Sequence, residues 1–238
     1  TPELKKEIEA AETMVLVDDL YRPFRPKRKT RATIAQAKGL EGLANIITLQ
    51  MPGSDIAKEA EKYISEEKGV ESTNEAISGA MDIIAENISD TADYRKVIRE
   101  LTMKKGTVVT SAKDPEAESV YEMYYDFSTP VSKMTGYRTL AINRGEKEKF
   151  ITVKIEAPVD EIISYLEKKT ITGNNPEASK ILSDTIADSY VRLIAPAIDR
   201  EIRNYLTESA EDGAIKVFAS NLQQLLMQPP IAGQTVLG

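Results

Sequence analysis

Apolar residues recur at helical spacing along nearly the whole chain, and polar caps and prolines divide the pattern into segments. Thr1-Pro2-Glu3 supplies a hydroxyl cap, a proline at the first helical position and an acid in the first turn. Leu4, Ile8, Ala11 and Val15 follow at helical spacing, which predicts one helix running to Tyr21. Arg22-Pro23-Phe24-Arg25-Pro26 must end it, because the two prolines fix φ, remove two donors and push the residues before them out of the helical region. The basic run from Arg22 to Arg31 is therefore expected to be extended, polyproline-like and solvated. Thr30 caps a short helix through Lys38 that Gly39 ends, and Leu40, Leu43, Ile46 and Ile47 carry another to Met51.

Three short helix signals come next: Ser54 ahead of Ile56, Ala60, Tyr63 and Ile64; Ser72 with Glu75 as a capping box; and Asp90 or Asp93 ahead of Tyr94, Val97, Ile98 and Leu101. Together they read as a small trihelical module. Residues 107–111 are β-branched enough for a strand, and 150–155 alternate with period two, so the two are expected to pair. A lone ladder is marginal in water, and helices must cover it. Between them the pattern predicts a helix with Val120, Tyr121, Tyr124 and Tyr125, a break at Ser128-Thr129-Pro130, and a helix from Tyr137 to Arg144 stopped by Gly145. After Pro158, Ile162, Ile163 and Leu166 resume the helical spacing. The longest stripe follows Gly173-Asn174-Asn175-Pro176, from Ala178 through Leu182, Ile186, Ile194 and Ile198 to Leu206, with a bend expected at Pro196. One more helix, through Ala214, Phe218, Leu222 and Leu225, is expected to end at Pro229-Pro230, and 235–238 read as a strand just beginning.

The expected fold is therefore mainly α: a multi-helical scaffold with an inserted trihelical module and a minor two-stranded β element. The domain reading is 1–52 and 113–230 as two parts of the scaffold, 53–112 as the module, 177–208 as the long helix, and 231–238 as the start of something further.

Charge changes this picture. The chain carries 31 basic and 38 acidic residues, a net −7. Six of the cations, Arg22, Arg25, Lys27, Arg28, Lys29 and Arg31, crowd together with no acid among them, which leaves −13 for the rest. From Gly69 to Tyr94, conversely, there is no Lys or Arg, and Glu71, Glu75, Asp82, Glu86, Asp90 and Asp93 are all acidic. Cysteine and histidine are both absent, which removes disulfides, thiolate nucleophiles, Cys/His zinc sites and Ser-His-Asp arrangements. An enzyme would need converging carboxylates for acid–base work or for magnesium. Asp184 with Asp188, and Glu118 with Glu122, stand four apart on predicted helices, a spacing that any solvated helix side shows. The glycines never cluster as a phosphate loop, so nucleotide binding is not expected. No apolar run approaches the roughly 18 to 20 residues of a membrane span, and nothing marks a secretory signal, so the expectation is a cytoplasmic protein without cofactor, metal or catalytic residue.

Residues 19–35, from Asp19-Leu20-Tyr21-Arg22-Pro23-Phe24-Arg25-Pro26 through Lys27-Arg28-Lys29-Thr30-Arg31 to Ala35, and the block Gly39-Leu40-Glu41-Gly42-Leu43-Ala44, closely resemble the Tex family of bacterial transcription accessory proteins. Residues 79–86, the block Arg138-Thr139-Leu140-Ala141-Ile142-Asn143-Arg144-Gly145-Glu146, and Asn221-Leu222-Gln223-Gln224-Leu225-Leu226 with Pro229-Pro230 and Val236-Leu237-Gly238 look like Tex in the same order. One departure is Tyr137, where the family usually has histidine before the arginine. The resemblance implies the N-terminal helical part of a longer protein, with a helix-turn-helix-like module inside it and a YqgF, RNase-H-like domain beginning at its end. Helix-hairpin-helix and OB-fold RNA-binding domains would follow. It also implies RNA or single-stranded DNA as partner, bound mainly through those further domains, and action with the transcription machinery, RNA polymerase included.

Two readings of the basic run stand side by side. Its six cations would contact phosphates, with Tyr21 and Phe24 stacking on bases. Alternatively, the arginines bind the chain's own acidic helices, or the run docks other domains. For the trihelical module, a recognition helix needs Arg, Lys, Asn or Gln at base edges, and the acidic stretch 71–93 argues for a structural or protein-docking role instead. Arg138 and Arg144 lie near Glu146 and Glu148 and are read as ion pairs fixing their helix, with phosphate contact as the alternative. The three tyrosines at 121, 124 and 125 read as core. Two rivals to the nucleic-acid reading remain: a docking platform for polymerase or ribosome partners, and the regulatory part of a nuclease whose chemistry lies in the RNase-H-like domain.

Overall fold

The structure, a computed structural model, describes residues 1–27, 29–228 and 233. It forms two compact units: Thr1–Gly106 with Ala157–Arg200, and Thr107–Glu156 with the chain from Glu201 onward.

The first unit opens on α1 (Pro2–Glu9) and α2 (Met14–Tyr21) in place of the single helix expected from Thr1 to Tyr21. Thr1 caps α1 as expected, but Thr13 adopts extended backbone and its hydroxyl accepts the Leu16 N–H, so a second cap interrupts the apolar stripe. Then come α3 (Arg31–Ala37), capped by Thr30, and α4 (Glu41–Leu49). The cap of α5 (Ile56–Glu61) is Asp55, one residue past the expected Ser54. For α6 (Thr73–Asp90) the Ser72 hydroxyl accepts the Glu75 N–H, while the Glu75 carboxylate accepts from Glu71, one residue before the expected capping-box partner. α7 (Ala92–Lys105) follows directly.

α6 packs against α3, α4, α5 and α10 (Pro176–Ser189). Its small residues Ala76, Ala80 and Ala85 are fully buried, and a Cβ at Gly79 would stand 2.4 Å from a methyl of Leu40. The glycine lets α6 approach the start of α4 closely. Polar stitching does the rest. Asn175 caps α10 by accepting the Ala178 N–H and donates its amide to the carbonyls of Met51 and Ser54 at 3.0 and 2.8 Å. Gln50, 2% exposed, donates to the Thr170 carbonyl, at the end of α9 (Val159–Thr170), and accepts from Gly173 N–H. Buried amides with both ends bonded add specificity without a desolvation penalty.

Beyond α10 the helix passes through a π turn, Tyr190–Ile194, into α11 (Ala195–Leu226). The Ala195 N–H bonds the Tyr190 carbonyl, five residues back. The widened turn lies just ahead of Pro196, whose missing N–H would otherwise break the regular ladder. The expected last helix is not separate: Gly213 lies inside α11. The stripe expected in the long helix is core as far as Ile202, with Ala178, Leu182, Ile186, Ile194, Ile198 and Ile202 all buried, but Tyr205, at its expected end, is 57% exposed. The expectations for 229–238, apart from Gly233, fall outside the described residues.

In the second unit, β1 (Thr107–Ala112), β2 (Asp126–Pro130) and β3 (Ile151–Glu156) form an antiparallel sheet in the order β2-β1-β3. The expected pairing is present, with Thr107 opposite Glu156 and Val109 opposite Lys154. The sheet has three strands where two were expected, because 120–130 is not a helix with a break. A single 3-10 turn, Glu122–Tyr124, leads into β2, and the Thr110 hydroxyl donates to the Tyr124 carbonyl at 2.5 Å. The threefold spacing of the tyrosines belongs to that turn. Tyr121 and Tyr124 are core as expected, each 5% exposed. α8 (Gly136–Lys147) runs through Gly145 instead of stopping there. A Cβ at Gly145 would come within 3.1 Å of both Tyr121 and Ile151, so this glycine is a packing residue and not a helix stop.

Candidate nucleic-acid interface

The basic run leaves α2 through one 3-10 turn, Arg22–Phe24, with Pro23 in its first positions. Arg25 then takes φ −68° and ψ 131°, the polyproline conformation, and Lys29 has φ 35° before Thr30 caps α3. The expected extended strip therefore starts at Arg25, three residues late. None of the described residues in 21–30 is buried, so the run belongs to no apolar core.

It is not uniformly solvated either. Arg22 Nε donates to Asp90 Oδ1 at 2.9 Å. Lys27 Nζ donates to the other oxygen of Asp90 and stands 3.1 Å from Glu86 Oε2. Both carboxylates lie in the last turns of α6. The cations keep 28% and 25% side-chain exposure and the acids 9% and 14%, so these are half-buried pairs and a correction to a fully solvated strip. Arg25 reaches Asp18 at 3.0 Å in an exposed pair. Lys29 and Arg31 are exposed, and Arg28 lies outside the described residues. Tyr21 and Phe24 are 47% and 61% exposed. Beside the run is an open cleft of about 520 Å³, lined by Arg25, Lys27, Thr33, Gln36, Asn87 and Thr91 among others.

Directly beneath lies a group that sequence reasoning missed. Asp19, on α2, is 3% exposed; it accepts from Arg95 Nε at 2.5 Å and from Arg99 Nη2 at 2.6 Å, both on α7. Arg95 is fully buried. The one available signal was an acidic pair inside the apolar run Met14-Val15-Leu16-Val17-Asp18-Asp19-Leu20, which cannot turn both acids to solvent on a helix that also buries its apolar side.

Further along α6, Asp82 is held by Arg192 Nη2 at 3.0 Å, and Arg192 also pairs with Asp188. Burial raises the Asp82 pKa above the ordinary 3.8, against the opposing pull of the Arg192 and Arg31 charges. Asp184 and Asp188 are both exposed, and Asp188 is taken by Arg192 one turn on. Glu118 is not on a helix, and Glu122 accepts from the Ser119 N–H, so those two acids share no helix face. Among the described residues no three His, Cys, Asp or Glu side chains gather as metal ligands.

In the second unit, Arg138 stands 5.6 Å over the rings of Phe127 and Tyr137, a cation–π contact where an ion pair was expected. Arg144 is exposed. Glu146 does fix α8 by an ion pair, but with Arg203 of α11.

No helix among the described residues is long and apolar enough to cross a membrane. The whole chain aligns with YdcI of Bacillus subtilis at 50% identity, covering 34% of that protein. It is 31% identical to the transcriptional accessory protein Tex of Neisseria gonorrhoeae over 99% of the chain and 32% of that protein. It is also 32% identical to the human S1 RNA-binding domain-containing protein 1, over 91% of the chain and 23% of that protein. The chain thus spans about a third or less of the length of these relatives. Residues 51–218, well over half of it, match the family described as Tex central region-like, and the chain belongs to the Tex family.

Proposed function

We propose that this chain is the helical scaffold part of a transcription accessory protein that binds nucleic acid, and that its own contribution is a phosphate-facing strip at residues 22–31. One observation carries the reading. In a chain of net charge −7, Arg25, Lys29 and Arg31 stand exposed within one short stretch beside two exposed aromatic rings, Tyr21 and Phe24. Cations that track a backbone beside rings that stack on bases make up a sequence-tolerant single-strand site. The names of the relatives, one a transcriptional accessory protein and one an S1 RNA-binding domain protein, support a nucleic-acid partner; in this reading it is RNA or single-stranded DNA, with RNA polymerase as the machinery served. The main affinity belongs to parts of the full-length protein outside these residues, and the setting is cytoplasmic.

The strip has no catalytic task in this reading, and the protein is not an enzyme through this chain. The α5–α7 segment, helix-turn-helix-like in order, serves as structure and not as a groove reader, since α6 is occupied on several sides by other helices. Binding to single strands is expected to be weak, blind to sequence and salt-sensitive. Log K should fall against log salt with slope about −2, at about −0.7 for each of three phosphate contacts. Changing Arg25, Lys29 and Arg31 together to Gln should remove that slope while the protein stays folded. Binding that keeps its slope in this variant would dismiss the strip.

A docking platform is favoured by a different observation. The outer part of α11 leaves Ile215, Phe218, Leu222, Leu225 and Leu226 exposed along one side. Capture of polymerase by the chain, abolished by Phe218→Ser with Leu222→Ser and untouched by the strip variant, would make docking the primary function.

A further inference from the structure

Within the strip the positive charge is divided by depth. Arg25, Lys29 and Arg31 face outward, whereas Arg22 and Lys27 turn inward onto the end of α6. There Asp90 uses both oxygens, one for each cation, and Glu86 adds a second contact to Lys27. Two anionic oxygens shared between two cations is also what a backbone phosphodiester offers.

Two further features bear on this arrangement. Glu86 and Asp90 occupy the last turns of an 18-residue helix that has no basic residue in its own last turn. Carboxylates there oppose the dipole of α6, and the cations from the strip offset that repulsion. The strip, in turn, buries no described side chain between residues 21 and 30, so lifting Arg22 and Lys27 away costs ion pairs and little apolar burial. In these pairs each cation keeps about a quarter of its surface in water, which gives another anion a side from which to approach and exchange. The cleft beside them, with the side chains of Thr33, Gln36 and Asn87 on its walls, provides room for a strand to enter.

We propose that Asp90 and Glu86 act as a built-in phosphate mimic: an autoinhibitory clasp that holds Arg22 and Lys27 until the phosphates of a single strand displace the carboxylates. This rests on the phosphate-contact reading of the strip and adds its regulation. In the clasped protein, of the described cations of the strip, Arg25, Lys29 and Arg31 are the ones that release counterions on binding; the exposed Arg25–Asp18 pair is screened by salt and holds Arg25 little. Whatever Arg22 and Lys27 release to a phosphate is cancelled when Asp90 and Glu86 take up cations from solution. Neutral carboxamides at 86 and 90 end that cancellation.

The test is the salt dependence of binding of a fluorescein-labelled oligouridylate to the 238-residue chain, read by anisotropy between about 50 and 200 mM salt. The unaltered protein should give a slope of about −2. Asp90→Asn with Glu86→Gln should bind more tightly at low salt and steepen the slope to about −3.5, five contacts in place of three. Arg22→Gln with Lys27→Gln should return the slope from about −3.5 to about −2 in the carboxamide background. Should the double carboxamide variant fail to fold by circular dichroism, Asp90→Asn alone frees one cation and should give about −2.8. A carboxamide variant that binds with the slope of the unaltered protein overturns the clasp and leaves the phosphate-contact reading standing. No binding by either folded protein overturns both.

Discussion

Two sets of ion pairs lie within a few residues of each other along the chain and differ in what surrounds them. Asp19 with Arg95 is sealed between α2 and α7, and Arg99 closes the outer side of the pair with 17% of its side chain exposed. Arg22 and Lys27 with Asp90 and Glu86 sit at the rim, a quarter of each cation still in contact with solvent. The chemistry is the same, guanidinium or ammonium against carboxylate, yet depth assigns different work. A buried pair has lost its hydration, so neither partner can be released without leaving a bare charge in a poor dielectric. A rim pair keeps water and salt as alternatives and can trade one anion for another. The sealed set fixes where α2 and α7 lie; the rim set governs how much positive charge the strip presents.

The largest expected effect tests the sealed set. Asp19→Ala should destabilise the protein by about 3–5 kcal/mol, since two guanidinium groups lose the carboxylate between them. Urea unfolding measures it, and a loss below about 1 kcal/mol would place Asp19 in the same class as the rim. Replacing charge by apolar volume sharpens the point. Asp19→Leu with Arg95→Met should recover most of the stability lost in Asp19→Ala, because a buried ion pair is seldom better than well-packed hydrophobes. If the double variant is as unstable as Asp19→Ala, the pair is specifying the fold as well as filling space.

At the rim, Arg22→Gln or Lys27→Gln should each cost about 1 kcal/mol or less, and that cost should shrink in about 1 M salt, where the screening length falls to about 3 Å. Equal costs at low and high salt would show the rim to be as shielded as the centre.

The smallest effect is Asp82, on α6 about one turn before Glu86. Burial raises its folded pKa above the 3.8 of a free carboxyl, so the folded state holds this proton more firmly than the unfolded state. Its contribution is therefore most favourable at low pH, where the group is protonated in both states. It declines as the pH climbs from 3.8 through the raised folded value, opposite in sign to a carboxylate held down by a partner. Asp82→Asn should flatten that decline in a pH series of urea midpoints; a decline that persists in the variant belongs to another group.

Much of this molecule was legible where the cause is local. The caps at Thr1, Thr30 and Ser72, the pairing of 107–111 with 150–155 and the buried stripe from Ala178 to Ile202 follow from hydroxyl–amide geometry and from periods of 3.6 and 2. Local signals misled where neighbours in space outvoted them. Gly145 reads as a helix stop and is the seat for Tyr121; Tyr121, Tyr124 and Tyr125 read as a helix face and lie at the turn into an unexpected strand. At the candidate site the basic run and the acidic stretch were both visible as charge, and each had its reading. Binding of the run to the chain's own acidic helices was one of those readings; which residues pair was not legible, since Lys27 and Asp90 stand 63 residues apart.

The sequence by itself determined the mainly helical class, the position of most elements and the concentration of positive charge in residues 22–31, because propensity, capping and composition act over a few residues. Only the tertiary structure decided which charges are spent inside the molecule. That depends on desolvation and on distances of about 3 Å between segments far apart in the chain, and burial is a property of the packed whole and not of any short run.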